Sequence, residues 1–491
     1  MQNHIEDKEI IKNDWLTRKD IKKLFWIIMA FACMFVIHFA PAVEGLELEA
    51  KSILAVFIWF MIITMSNSLN NFAVGLAAPL LIVILTGAKP SQAFSAFASD
   101  TFFLTIGAFT FAGVMTATPL GKRIALTITG LFRSNKISSI FCGLTLADVA
   151  INSFLPSVAE TGLLLPIVTG FQKLTEGKDN NPEVKRINRG LMILICGFMP
   201  LVTGLLILTA HLPNMLLVGF WEDAGIKVTF IDWLKMNLPL WGLIPITIIY
   251  VMIYYRLWKV EIPGAEEELP AMKQELGKIT KPEIWSLICL ACCFFLWITE
   301  DILHSIPTGM VSLILVVLLF LPFGHLKFSE VMPHVLWDVW VLLGGAISLG
   351  TSLSNSGAIE WLVNLFLVPL QDYLVGLPVI LVLLLVALVT HIPRAGIVSA
   401  GAMGAMFIPL TISMAQQLGF QVLPFSLIIT NCLSYAFFIP MSITAFFIAW
   451  GASGMTMLEG IKIGVPFTLI CNVYVVVTLA LWLPLVGYPL I

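Results

Sequence analysis

The sequence predicts an all-α integral membrane protein: about 11 transmembrane helices plus two re-entrant hairpins, laid out as inverted five-span repeats. Three observations predict it. Of 491 residues, 59% are hydrophobic and only 12% are charged, against roughly 25% charged in a soluble domain, so the chain needs an apolar solvent. Its apolar residues fall into blocks near the ~20 residues that cross a bilayer, and two longer blocks break in the middle. Segments of the first half recur in the second.

The tail, residues 1–23, mixes acids and bases and is too long and acidic for a signal peptide. The run after it, 24–41, has no small-residue cleavage site and reads as a retained first span. Spans follow at 51–66, 72–87 and 101–118. The block 138–170 breaks at "NSFLPS" (152–157) and reads as two short helices meeting at a tip. Spans come next at 191–220 and 237–255, then a polar loop at 259–283, then spans at 284–299, 309–322 and 338–356. A second long block, 373–413, breaks at "HIPRAG" (391–396), and spans at 426–449 and 463–488 complete the chain. Non-helical backbone at membrane depth survives only where protein or a wet cavity satisfies it, so two broken hairpins predict a binding cavity.

Basic residues gather before the first span, after the fourth, after the first hairpin and in the central loop, while "VEGLELEA" (43–50) and "WEDAGI" (221–226) lean acidic. The excess of Lys and Arg marks the cytoplasmic face. Alternation along the spans then puts the N-terminus in the cytoplasm and the C-terminus outside, in a cell (plasma or inner) membrane. The repeat is visible in "SQAFSAFASDTFFLTIGA" (91–108) and "SEVMPHVLWDVWVLLGGA" (329–346), where Ser91/Ser329, Asp100/Asp338 and Gly107/Gly345 all differ by 238. Pro213/Pro440, Lys235/Lys462 and Pro239/Pro466 differ by 227, and Pro166/Pro409 by 243. An odd number of spans per copy inverts one copy relative to the other, a pattern of secondary transporters whose site lies at the repeat interface.

The stretch "SQAFSAFASDTFFLTIGAFTFAGVMTATPLGKRIAL" (91–126), with its Ala-Phe entry, Gly-Ala core and Gly-x-x-Lys-Arg-Ile-Ala ending, resembles the divalent anion–sodium symporter family. The resemblance covers about residues 24–489. It implies a homodimer whose scaffold spans (24–137 and 284–372) hold transport parts (138–258 and 373–491) that carry the hairpins and broken spans. It also implies di- or tricarboxylate or sulfate substrates, moved by an elevator-like motion. The family's hairpin tips carry Ser-Asn-Thr before a Leu-Pro or Ile-Pro. The matching positions here are Pro156-Ser157-Val158 before Pro166, and Ser399-Ala400-Gly401 before Pro409. Neither keeps the Asn, although Asn152 and Ser153 lie near the first tip. The broken fifth span, "ILTAHLPNML" (207–216), keeps Thr209, Pro213 and Asn214 and adds His211, and the tenth, "FFIPMSITAF" (437–446), keeps Pro440, Ser442 and Thr444.

Arg394 is the sole Lys or Arg between Lys327 and Lys462. A lone Arg at the bilayer centre costs about 2.5–3.5 kcal/mol on insertion scales. The expected return is a planar, always-charged fork for an anion, or a stand-in for sodium; an ion pair with Asp148 or Glu160 that serves only assembly is the alternative. His391 on the same tip and His211 can donate to a carboxylate or carry a proton. With Ser157, Thr209, Asn214, Ser399, Ser442 and Thr444 they make the substrate-binding candidates. Asp148, Asn152, Ser153 and Glu160 are the ion-coupling candidates, for sodium, for a proton or for Arg394. Asp100 and Asp338 read as helix N-caps. The eight Cys form no disulfide or zinc pattern. No cofactor is expected beyond possible sodium, and no nucleic-acid partner. The absence of His-Glu-x-x-His, Gly-x-Ser-x-Gly and paired Asp motifs argues against an intramembrane enzyme. A channel would conduct without exchange. A fixed cation in place of sodium favours a sodium-independent exchanger of small organic anions, with sodium symport of dicarboxylate, sulfate or sulfonate as the alternative and proton coupling third.

Overall fold

The structure, a computed structural model, describes residues 18–41, 44–175, 181–365, 376–394 and 399–491. Among them the regular elements are all helical, apart from two isolated bridges. Seven helices are long and apolar enough to cross a bilayer. They are α1 (Asp20–Phe39), α2 (Leu48–Ser66), α4 (Asp100–Ala117), α8 (Pro182–Gly204), α10 (Phe230–Tyr254), α12 (Lys281–Thr299) and α19 (Met457–Leu485). Shorter apolar helices supply further expected spans, α3 (Asn71–Thr86), α13 (Thr308–Leu319) and α17 (Val422–Ser434), and the 19-residue α14 (Trp337–Asn355) makes another together with Phe328–His334, from which it bends by 56°. The amphipathic helices α5 (Leu120–Thr129) and α11 (Ala265–Glu275) follow α4 and α10. The tail 1–17 and the tip residues 395–398 lie outside the described residues.

Local chemistry fixes where these helices begin. Three open on reciprocal capping boxes: Thr229 with Asp232, Thr280 with Glu283, and Thr456 with Glu459. The boxes of α10 and α19 lie at the same 227-residue offset as Lys235 and Lys462. Asp100 and Asp338, expected as caps of their own helices, are not. Ser99 caps α4, while the Asp100 carboxylate accepts from the Gly309 N–H at 2.9 Å and so caps α13. Asp338 accepts from Asn71 across the α3–α14 contact. The first-turn position leaves each carboxylate beside a neighbouring helix that has its own unmet donors. Arg123, in the Gly-x-x-Lys-Arg stretch, pairs with Glu283 at 2.7 Å and donates to the Gly277 and Leu276 carbonyls, pinning the loop before α12.

Two helix crossings join the halves reciprocally: α14 packs on α3, and α4 packs on α13. The equivalent glycines Gly345 and Gly107 lie at these crossings. A Cβ on Gly345 would run into the Gly75 carbonyl, and one on Gly107 into Ser312. Small residues let backbones meet closely where lipid supplies no hydrophobic drive.

Both long blocks divide into two helices. The first is α6 (Ile137–Asn152) and α7 (Ser157–Thr175), broken at Ser153–Pro156. The second has arms α15 (Val379–Arg394) and α16 (Ala400–Gln417). Both broken spans show one backbone pattern, a three-residue 3₁₀ turn between extended residues. In the first, Leu208–Ala210 sits between Ile207 and His211, ahead of α9 (Leu212–Asp223); in the second, Pro440–Ser442 sits between Ile439 and Ile443, ahead of α18 (Thr444–Ala452). This corrects the expected register. Pro213 opens helix α9, whereas Pro440 opens the turn, so Ile443 corresponds to His211 and not to Leu216, as the 227 offset would have it. Proline suits the first turn of either helix type because it has no N–H to satisfy, which makes it a poor register mark. Before its break, α8 runs as a π-helix over Met192–Phe198, a winding enriched at functional sites.

Candidate functional site

The polar residues singled out in the sequence converge where the hairpins meet the broken spans. They are enclosed rather than facing an open cavity: Asp148 and Glu160 are fully buried, Arg394 is 2% exposed, His211 6% and His391 9%. They sort into two groups of opposite character.

The acidic group lies between the first hairpin and α8. The Thr203 hydroxyl donates to Oδ2 of Asp148 at 2.6 Å and receives the Asn152 amide at 2.7 Å. Asn152 also donates to the Pro200 carbonyl, as does Ser157 at 2.8 Å. Proline at 200 has no N–H for the helix ladder, so the carbonyl one turn earlier, that of Cys196, loses its usual donor. Glu160, one helical turn past the tip, stands within hydrogen-bonding reach of Asp148. Cys196, on the π-helical segment, lies beside both acids. Thr161 donates to the Cys196 carbonyl at 3.2 Å. Thr209 donates to the Ser153 carbonyl at 2.9 Å, tying the first break to the hairpin tip, and Asn214 closes the break by donating to the Gly204 and Ile207 carbonyls at 2.9 Å each.

The basic group lies between the second hairpin, the first break and α19. Arg394 Nε donates to the Leu433 carbonyl at 3.4 Å. His391 Nε2 lies 3.0 Å from Oδ1 of Asn472, and its ring meets Phe438 edge-on. Arg394 stands close enough to act electrostatically on both His211 and His391. Gly401, at the start of α16, packs against Leu212, the first residue of α9. Two helix N-termini therefore point their positive ends at this region. Among the described residues no salt bridge joins Arg394 to Asp148 or Glu160; those two acids face each other instead.

Other expectations change in detail. Thr209 and Asn214 direct their donors at backbone carbonyls, so their first role is to hold the break in shape. Ser153 bonds back to Val149 within its own helix, and Ser399 caps α16 by accepting from Ala402. Ser442 is buried without a hydrogen-bond partner, and Thr444 is half-buried at the start of α18. Sequence reasoning passed over Thr203, Asn472 and Cys196. An Asn in the middle of a 29-residue apolar helix was a readable signal; a single Thr was not, because most bond only to their own helix. Thr203 has that option too, since the Met199 carbonyl lies 2.9 Å from its hydroxyl, but its single O–H has the shorter path to Asp148 at 2.6 Å.

Comparison with known proteins places this architecture. An uncharacterized transporter of Haemophilus influenzae is 25% identical over 466 residues, covering 91% of this chain and 94% of that protein. The sodium-dependent dicarboxylate transporter SdcS of Staphylococcus aureus is 25% identical over 340 residues, 65% of each chain. The crystal structure of the Alcanivorax borkumensis YdaH transporter shares the fold, with a TM-score of 0.50 at 14% identity over 96% of this chain and 99% of that one. Residues 21–488 match the family model described as the sodium:sulfate symporter transmembrane region. With homologues that are transporters and not enzymes, the chain belongs to the sodium:sulfate symporter family of secondary transporters.

Proposed function

We propose that this chain moves small di- or tricarboxylate-like anions across a cell membrane by sodium-independent exchange. One observation carries the reading: a buried guanidinium, with two buried imidazoles near it, sits where a hairpin and a broken span bring two helix N-termini together. An anion entering there meets fixed positive charge in a low-dielectric setting, where it is bound far more strongly than in water. A permanent cation cannot leave with the substrate as sodium does. The loaded carrier therefore returns best with another anion aboard, which is exchange. Transport parts (138–258 and 373–491) slide against scaffold spans (24–137 and 284–372) in a homodimer, with the N-terminus cytoplasmic and the C-terminus outside. The reciprocal α3–α14 and α4–α13 crossings support a shared, rigid scaffold.

Sodium symport is the second reading, favoured by the sodium-dependent dicarboxylate transporter among the relatives. Proteoliposomes decide between them. Exchange predicts that internal succinate, or another anion of a test panel, accelerates uptake at least several-fold with choline replacing sodium. Rapid uptake into empty vesicles that requires sodium would overturn it.

A further inference from the structure

We propose that Asp148 and Glu160 share one proton and form the carrier's proton-binding site, filled and emptied as the anion binds and leaves. The case starts from the donors. Four carboxyl oxygens lie together in the dry interior, and the structure supplies one donor to them, the Thr203 hydroxyl on Oδ2 of Asp148. Among the described residues, Oδ1 of Asp148 and both oxygens of Glu160 receive none. Two adjacent carboxylates buried away from bulk solvent, with one protein donor between them, cannot both stay ionised cheaply, whereas a proton between them supplies a hydrogen bond and removes one charge.

A second, independent feature points into the same place. Asn152 is fully buried, and its amide reaches Asp148 through Thr203, yet its own Oδ1 has no partner. That oxygen is a buried acceptor with no donor among the described residues, on the same side chain that reaches the acid pair. A Cβ built on Gly204 would lie 3.1 Å from Ser157 Oγ, 3.4 Å from Asn152 Nδ2 and 3.7 Å from Cβ of His211, so the acid side and the basic side meet across one glycine. Apart from the pair itself, Cys196 is the one titratable group among the described residues that acts on it. Lys122 and Arg123 of α5, Glu268 of α11 and Arg189 of α8 belong to helices packed on the hairpin or on its partner α8 but exert no comparable effect.

The charge balance gives the site its use. With one shared proton the acids carry a net single negative charge, and on the basic side Arg394 and its two imidazole neighbours carry a single positive one. An arriving dianion upsets that balance, and a second proton on the acids restores part of it. Anion and proton therefore favour each other's binding, by linkage that runs both ways. Homo-exchange moves equal numbers of protons each way, whereas exchange between anions that recruit different numbers of protons is driven by a pH gradient. This coupling rests on the anion-transport reading; the shared proton does not.

The test separates the two. Infrared difference spectra of purified protein at neutral pH, wild type against Glu160→Gln and against Asp148→Asn, should show the C=O stretch of one protonated carboxylic acid, lost in each variant. Either amide replaces the shared proton with an N–H donor, which keeps the fold. Succinate added in weak buffer should then draw protons from solution in the wild type and not in Glu160→Gln. The apparent affinity for succinate should tighten by up to about tenfold per pH unit of acidification in the wild type alone. Absence of the acid band, or carboxylate bands that respond to sodium, would overturn the proposal and make the pair a cation site. A band that stays constant with pH and with bound succinate would make the proton structural and overturn its coupling role. Failure of succinate and every other panel anion to bind would sink the transport reading, while the band would still decide the acid pair.

Discussion

Arg394 shows what a single residue disclosed in advance. Its type was legible because a charge inside an apolar run is costly, and its burial is as expected. Its surroundings were not legible, because Leu433 of α17 and the nearby His211 come from distant sequence. Pairing with Asp148 or Glu160 was the less favoured alternative; in the structure the two acids face each other. Arg394→Ala should weaken anion binding by about 2–5 kcal/mol, at least about thirtyfold, since it leaves the anion's charge unmatched in a dry site. Arg394→Lys should also bind weakly, because a point ammonium lacks the two-pronged fork. Isothermal titration with succinate checks both. Retained melting midpoints in detergent separate a binding role from an architectural one, in which the alanine variant would melt early and lose transport through unfolding.

At the level of the element, both hairpins and both breaks were readable from Pro, Gly and polar residues interrupting apolar blocks. Their register was not, since Pro213 and Pro440 look equivalent in sequence but serve a helix and a turn. The π-helical stretch of α8 leaves no mark in composition, as the same apolar residues suit either winding. Its neighbour Gly204 gives the element its test. Ser157 and Asn152 both hold the Pro200 carbonyl and cannot readily step aside from a new methyl group. Gly204→Ala should destabilise the protein by about 1 kcal/mol and Gly204→Val by about 1–3 kcal/mol, with exchange rates falling in the same order. Thermal melts beside proteoliposome counterflow measure it, and unchanged values for Gly204→Val would show that the two sides of the site do not meet there.

For the molecule as a whole, class and rough span order followed from hydropathy, and the relative sidedness of several loops from charge. The loops that alternate onto one face do meet at one end of the structure: Lys227 pairs with Asp301 at 2.8 Å, and Glu222 reaches the start of α4. Which helices cross, and that α3 meets α14, is set by tertiary packing that no local pattern encodes. The junction at that end has a mechanical meaning. The Glu222 carboxylate, at the tip of α9, accepts from the Asp100 and Thr101 N–H groups and the Thr101 hydroxyl of α4, while neighbouring Asp223 accepts from Thr351 of α14. If α9 rides with the moving part, the carrier cannot leave this posture until those bonds let go. The two acids then act as a clasp that sets the waiting time before each crossing, independently of what is carried. Glu222→Gln keeps the shape but loses the charge that holds the α4 end, so it should shorten that wait and raise the exchange rate at saturating succinate with little change in succinate affinity. A slower variant, or one altered only in affinity, would mean that the clasp merely braces the structure and that departure is timed elsewhere.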